Sequence, residues 1–209
     1  MDNGWIRRAF LGGFSLLGAM FLLAGAWLWW NRPSALSGPQ ILGVIPDFSL
    51  VERNGQTVTA KQLEGKIWLA DFIYTTCSGP CPIITARMAK LQKRYANRGN
   101  LRFVSITVDP AHDTPVVLSR YADQHGASKD QWLFLTGEHE SIHYLATQGM
   151  MLAMTENTQD QAGGDTLLHS LLFVLVDEKR QIRGYYNATE DAAMVRLEMD
   201  LNTLLGKSL

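Results

Sequence analysis

The chain has 209 residues, 46% of them hydrophobic, with 19 basic and 20 acidic side chains. That is enough apolar material for one core after any membrane segment is set aside. A near-neutral charge with no basic cluster excludes a nucleic-acid-binding surface, which needs a concentrated positive face.

Residues 1–8 carry Arg7 and Arg8, and from Ala9 to Asn31 there is no charged side chain. At ~1.5 Å per residue that stretch covers ~34 Å, slightly more than the ~30 Å hydrocarbon core of a bilayer. Trp29-Trp30-Asn31-Arg32-Pro33 offers no small-x-small cleavage site, so an uncleaved anchor over 9–31 is expected rather than a removed signal. Two arginines before it against Arg32 after it keep the N-terminus cytoplasmic, and Trp27, Trp29 and Trp30 suit the far interface. Residues 32–42, rich in Pro, Ser and Gly, read as a tether. The expected topology is a single-pass inner-membrane protein whose globular part, 43–209, lies in the periplasm. There a cysteine pair oxidises unless something reduces it.

Within that part, Pro46 to Val51 and Thr57 to Thr59 flank Arg53-Asn54-Gly55-Gln56, a hairpin signal. Lys66 to Tyr74 is a nearly continuous apolar run, as expected of a strand buried on both faces, and it leads to Cys77. Pro82 fits the first position of a helix whose Ile84, Met88, Leu91 and Tyr95 recur at helical spacing. Leu101 to Val108 predicts a second buried strand, and Asp113-Thr114-Pro115 a cap and N1 proline for a helix through Gln124. A short strand over Trp132 to Leu135 and a helix over Glu138 to Gly149 follow. Ser170 to Val176 and Gln181 to Tyr186 predict an antiparallel pair turning at Asp177 to Arg180. Met194, Leu197, Leu201 and Leu204 mark one face of a closing helix from Glu190 to Leu205. The order β-β-β-α-β-α-β-α-β-β-α, with cysteines after the first buried strand, predicts an α/β thioredoxin-like sandwich with an N-terminal hairpin extension, preceded by one transmembrane helix.

Cys77 and Cys81, the only cysteines, stand in Thr75-Thr76-Cys77-Ser78-Gly79-Pro80-Cys81-Pro82. As a staple they close a very small loop, which stabilises little. As an electron carrier they resemble the Cys-Gly-Pro-Cys of thioredoxins in ending Gly-Pro-Cys, with three intervening residues instead of two; a thiolate near a helix N-terminus keeps exchange chemistry open. As metal ligands, two soft sulfurs with one imidazole suit Cu(I), and also Zn. His169, which follows Gly163-Gly164 and precedes the strand of Ser170 to Val176, is the candidate third ligand.

Phe72 to Cys77, Cys81-Pro82, Val104 to Pro110 with Asp113-Thr114-Pro115, and Leu168-His169-Ser170 ahead of Leu175-Val176-Asp177 together resemble the Sco/SenC family. Its members are membrane-anchored, thioredoxin-fold copper proteins. The resemblance runs in order from about Pro46 to Leu205 and includes the anchor. It implies copper as the bound metal, Cys77, Cys81 and His169 as its ligands, and a role in delivering copper to, or preparing the thiols of, the dinuclear copper site in a haem-copper oxidase subunit. A thiol reductant would be a second partner. The rival function is a periplasmic thiol-disulfide oxidoreductase using the same cysteines without metal. Two departures from the family pattern stand out. Ser78-Gly79-Pro80 replaces Pro-Asp-x between the cysteines, favouring thiol exchange, and Asp109-Pro110-Ala111-His112-Asp113 lacks the arginine of Asp-Pro-x-Arg-Asp.

Other motifs have simpler readings. His139-Glu140-Ser141-Ile142-His143 matches the zinc-protease pattern His-Glu-x-x-His without a third ligand at a fixed offset, so protease activity is not expected. His112 lies in a stretch that capping by Asp113 or Thr114 explains. Met150, Met151 and Met154 read as packing residues, and His125 as a helix C-terminal residue favoured by the dipole.

Overall fold

The computed structural model describes residues 20–27, 39–152 and 171–206. They fall into two units, 1–38 and 39–209. In the first, 20–27 are helical; the rest of the expected anchor over 9–31 lies outside the described residues. Among the described residues no helix is long and apolar enough to cross a membrane.

The second unit opens with a strand missed in the sequence, β1 (Gly43–Val44), which pairs antiparallel with a late strand, Gly43 opposite Ile182. Two residues, with Val44 exposed, are too short to show any alternation. The expected hairpin follows as β2 (Ser49–Glu52) and β3 (Thr57–Thr59), in register Leu50 to Val58. Its turn uses Gly55 at φ +83°, where an L side chain is strained, and the Gly55 N–H donates to the Glu52 carbonyl at 2.7 Å.

β4 (Ile67–Ile73) is buried at all seven residues. It is followed by α1 (Cys81–Arg94), β5 (Leu101–Thr107), α2 (Pro115–Gln124) and β6 (Trp132–Thr136). Next come α3 (His139–Tyr144), continued by a π-helical turn over Leu145–Gly149, then β7 (Leu172–Val176), β8 (Gln181–Asn187) and α4 (Asp191–Gly206). The strands form one sheet in the order β1-β8-β7-β4-β5-β6-β2-β3. β4, β5 and β6 are mutually parallel, and every other pairing is antiparallel. The β7–β8 turn is held by Asp177, whose carboxylate accepts the Lys179 and Gln181 N–H groups and pairs with Arg183 at 2.7 Å.

Successive strand residues face opposite sides, which gives two cores. Ile67, Leu69 and Ile73 of β4 join Phe103, Trp132 and Phe173 beneath Ile84, Met88 and Leu91 of α1, Leu118 of α2 and Leu197 and Leu201 of α4. Trp68, Ala70 and Phe72 join Val104, Ile106 and Val174 against Ile45, Leu50, Ile142, Leu145 and Met150. The result is the expected α/β sandwich. Its parallel centre, where β4 ends and α1 begins, holds both cysteines.

Candidate metal and thiol site

β4 delivers the chain to a turn in which the Cys77 N–H donates to the Tyr74 carbonyl at 3.2 Å. Pro80 is the N-cap of α1, and its carbonyl accepts the Ile83 and Ile84 N–H groups. The helix therefore starts at Cys81, one residue before the expected Pro82, because the αR conformation of Pro80 (φ −78°, ψ −20°) already opens the first turn. Pro82 still sits where its missing N–H costs nothing. Both cysteines are free thiols and buried.

The two thiols are not equivalent. Burial opposes charge on Cys77, but hydrogen bonds from the Cys81 thiol and backbone, the Tyr74 side chain and the Gly79 backbone outweigh it and lower its pKa below the ordinary thiol value. Burial pushes Cys81 up to about 12, and its hydrogen bond to Cys77 and the negative charges of Cys77 and Asp71 act in the same direction, against a backbone hydrogen bond at Tyr74. Of the pair, Cys77 is the thiol more inclined to ionise and Cys81 the one more inclined to keep its proton. That order suits attack by Cys77 on a sulfur or a soft metal ion, with Cys81 following once it gives up its proton.

Two buried carboxyls, Asp113 and Asp71, organise the surroundings, and neither was expected in this role. Asp113 accepts the Thr75 N–H at 3.0 Å, the Thr75 hydroxyl at 2.5 Å and the Thr107 hydroxyl at 2.6 Å, and is fully buried. Its carboxylate thus ties the turn before Cys77 to the end of β5. Of the two expected caps, Thr114 takes the N-cap of α2, without a side-chain cap bond and with Pro115 following as expected, while Asp113 is buried and bonded to Thr75 and Thr107 instead. Asp71, beside Ser105 in the β4–β5 register, accepts the Ser105 hydroxyl at 2.6 Å, and Ser105 in turn accepts the Trp132 indole N–H at 3.0 Å. The other Asp71 oxygen is buried without a hydrogen-bond partner. Burial pushes this carboxyl up to about 7, against hydrogen bonds from Ser105 and its own backbone. The only signal in the sequence was one acid inside an apolar strand.

Of the predicted site residues, the structure brings Cys77 and Cys81 together. His169 lies outside the described residues, as do Met154 and Gly163-Gly164. Among the described residues no group of three or more His, Cys, Asp or Glu side chains converges to hold a metal ion. His112 is exposed, Met150 is fully buried in the core and Met151 is half-exposed. His125 caps the C-terminus of α2, as expected, but its ring lies 4.5 Å from that of Tyr121 and burial lowers its pKa, against the dipole's preference for charge.

A mixed sheet with a cysteine pair where its central strand meets a helix defines a thioredoxin-like protein. Residues 39–202 match the SCO1/SenC family. The chain is 34% identical over 149 residues to the SCO1 protein homolog of Bacillus subtilis, covering 70% of this chain and 75% of that one. It is 31% identical over 146 residues to a Stutzerimonas stutzeri protein that carries copper binding in its name, 69% of each chain. BsSco, described with a disulfide switch and as a member of the Sco family of cytochrome c oxidase assembly proteins, superposes with a TM-score of 0.66 at 30% identity, over 79% of this chain and 96% of that one. The chain belongs to the SCO1/SenC family, and its domain has the mixed α/β thioredoxin-like fold.

Proposed function

We propose that this protein is a copper metallochaperone, held in the inner membrane by residues 9–31 and tethered by 32–42 to a periplasmic copper-binding domain over 43–209. Copper is its cargo, bound by the thiolates of Cys77 and Cys81 with His169 as third ligand. Its destination is the dinuclear copper site in a haem-copper oxidase subunit. The observation that carries this reading is the free cysteine pair at the start of α1, with a lowered pKa on Cys77. Two soft sulfurs, one already inclined to ionise, suit Cu(I), and the ion's charge would compensate deprotonation of Cys81. The copper binding named in one relative and the oxidase assembly named for BsSco support the same reading.

The difference between the thiols favours a second reading, preparation of the target's own thiols. The Cys77 thiolate attacks a target disulfide and one target sulfur leaves as thiolate. Cys81 gives its proton to that departing thiolate and attacks Cys77, releasing the second target thiolate and leaving a Cys77–Cys81 disulfide. Two electrons have passed to the target, and a thiol reductant must return them. His169→Ala separates the readings. In the reduced full chain under anaerobic conditions, copper affinity is expected to fall at least tenfold while the rate of disulfide reduction is unchanged. Unchanged copper affinity would remove His169 from the site.

A further inference from the structure

We propose that His139 and His143 form a second cation site, a bis-imidazole chelate on the surface of α3 for a divalent ion, with Cu(II) bound most tightly. It rests on α3 alone and is independent of the cysteine site. The two histidines stand one helical turn apart, and both are exposed. Their ring centroids lie 6.4 Å apart with the planes tilted by 39°. Residues at i and i+4 share one helix face, with Cβ atoms about 5–6 Å apart. A shared ion needs a nitrogen from each ring at about 2.0–2.1 Å. Rotation about the side-chain torsions of the two residues brings a nitrogen of each ring to such an ion.

The platform beneath these rings is fixed. Ile142 lies between them in sequence and is buried, and the helical backbone continues through the π-helical turn, where Leu145 and Ala146 are buried too. The Thr147 hydroxyl donates to the His143 carbonyl at 2.8 Å, holding that turn. Glu138 and Glu140 flank His139 and make the local charge hospitable to a cation. Since no third His, Cys, Asp or Glu joins the pair among the described residues, the remaining coordination positions fall to water. Such a site exchanges its ion readily, unlike the closed set of a structural zinc site, and it lacks the ligand set of a zinc protease. Imidazole donors suit the borderline divalent ions, in the order Cu(II) above Ni(II) and Zn(II).

The test titrates the full-length Cys77→Ser/Cys81→Ser protein with Cu(II) alone and with Zn(II) alone. Expected are one Cu(II) per chain with nitrogen coordination in its paramagnetic resonance spectrum, weaker Zn(II) binding, and at least tenfold loss of affinity on His139→Ala or His143→Ala. His169→Ala leaves the binding unchanged. Absence of saturable Cu(II) binding, binding that survives removal of both histidines, or binding lost with His169→Ala would overturn the proposal. If the serine variant does not fold, Ni(II) binding by the wild type and its His139→Ala/His143→Ala variant gives the same decision: the site stands if the second loses the ion and falls if both retain it.

Discussion

Replacing Asp113 by alanine is expected to lower the stability of the reduced chain by about 3 kcal/mol in denaturant unfolding, because one buried carboxylate is the shared acceptor of three donors. Alanine leaves the Thr107 hydroxyl buried without its partner and frees the Thr75 turn from the end of β5. Asparagine is not a silent replacement, since its amide nitrogen turns a donor toward groups that are themselves donating. The effect extends beyond stability. Thr75 precedes Cys77 by two residues, so loss of the clamp lets the Cys77 sulfur move relative to the N-terminus of α1. Copper affinity or reduction potential should therefore change in the fraction that remains folded. A double-mutant cycle with Thr75→Val and Thr107→Val apportions the loss. A change below ~1 kcal/mol on Asp113→Ala would show that the three hydrogen bonds are replaced by water at little cost.

Asp71 is expected to have the opposite sign. Its folded-state pKa, pushed up to about 7 by burial, lies above the ordinary value of 3.8 for an exposed aspartate. Between those values the folded chain holds a proton that the unfolded chain has released. Stability is then flat below pH ~4, falls as pH rises toward 7, and is flat again above it. The cost of ionising this one carboxyl in the core is on the order of 2–4 kcal/mol at pH 8. Asp71→Asn removes the titration and keeps an acceptor for Ser105, and its amide nitrogen takes the place of the oxygen that has no partner. Its stability relative to wild type should rise by that amount between pH 4 and pH 8, measured by denaturant unfolding of the two reduced proteins. A difference that does not vary with pH would mean that Asp71 titrates as an ordinary carboxyl.

The parts of this molecule that were legible in its sequence are those with a period. The buried run through β4, the 3.6-residue recurrence of Ile84, Met88, Leu91 and Tyr95, the Asn-Gly hairpin and the face of α4 each appear where patterning places them. β1 was not legible because two residues have no period. The start of α1 was misplaced because Pro82 is a strong N1 signal, whereas Pro80 in a helical conformation had already begun the turn. Asp-Thr-Pro leaves the cap open between Asp113 and Thr114; Thr114 takes it, and the role of Asp113 was not legible because its partner Thr75 lies 38 positions earlier in the chain. The cysteine pair itself was legible, but the inequality of its two sulfurs was not. Spacing alone gives Cys77 and Cys81 the same chemistry; the burial of Cys81 and the direction of the hydrogen bond between them set them apart.

Anaerobic titration of the reduced full-length chain with Cu(I), with and without Cys77→Ala, bears most directly on the proposed copper role. One tightly held copper per chain, lost on Cys77→Ala, is the predicted result. Absence of a tight Cu(I) site, or a site indifferent to Cys77→Ala, would contradict it.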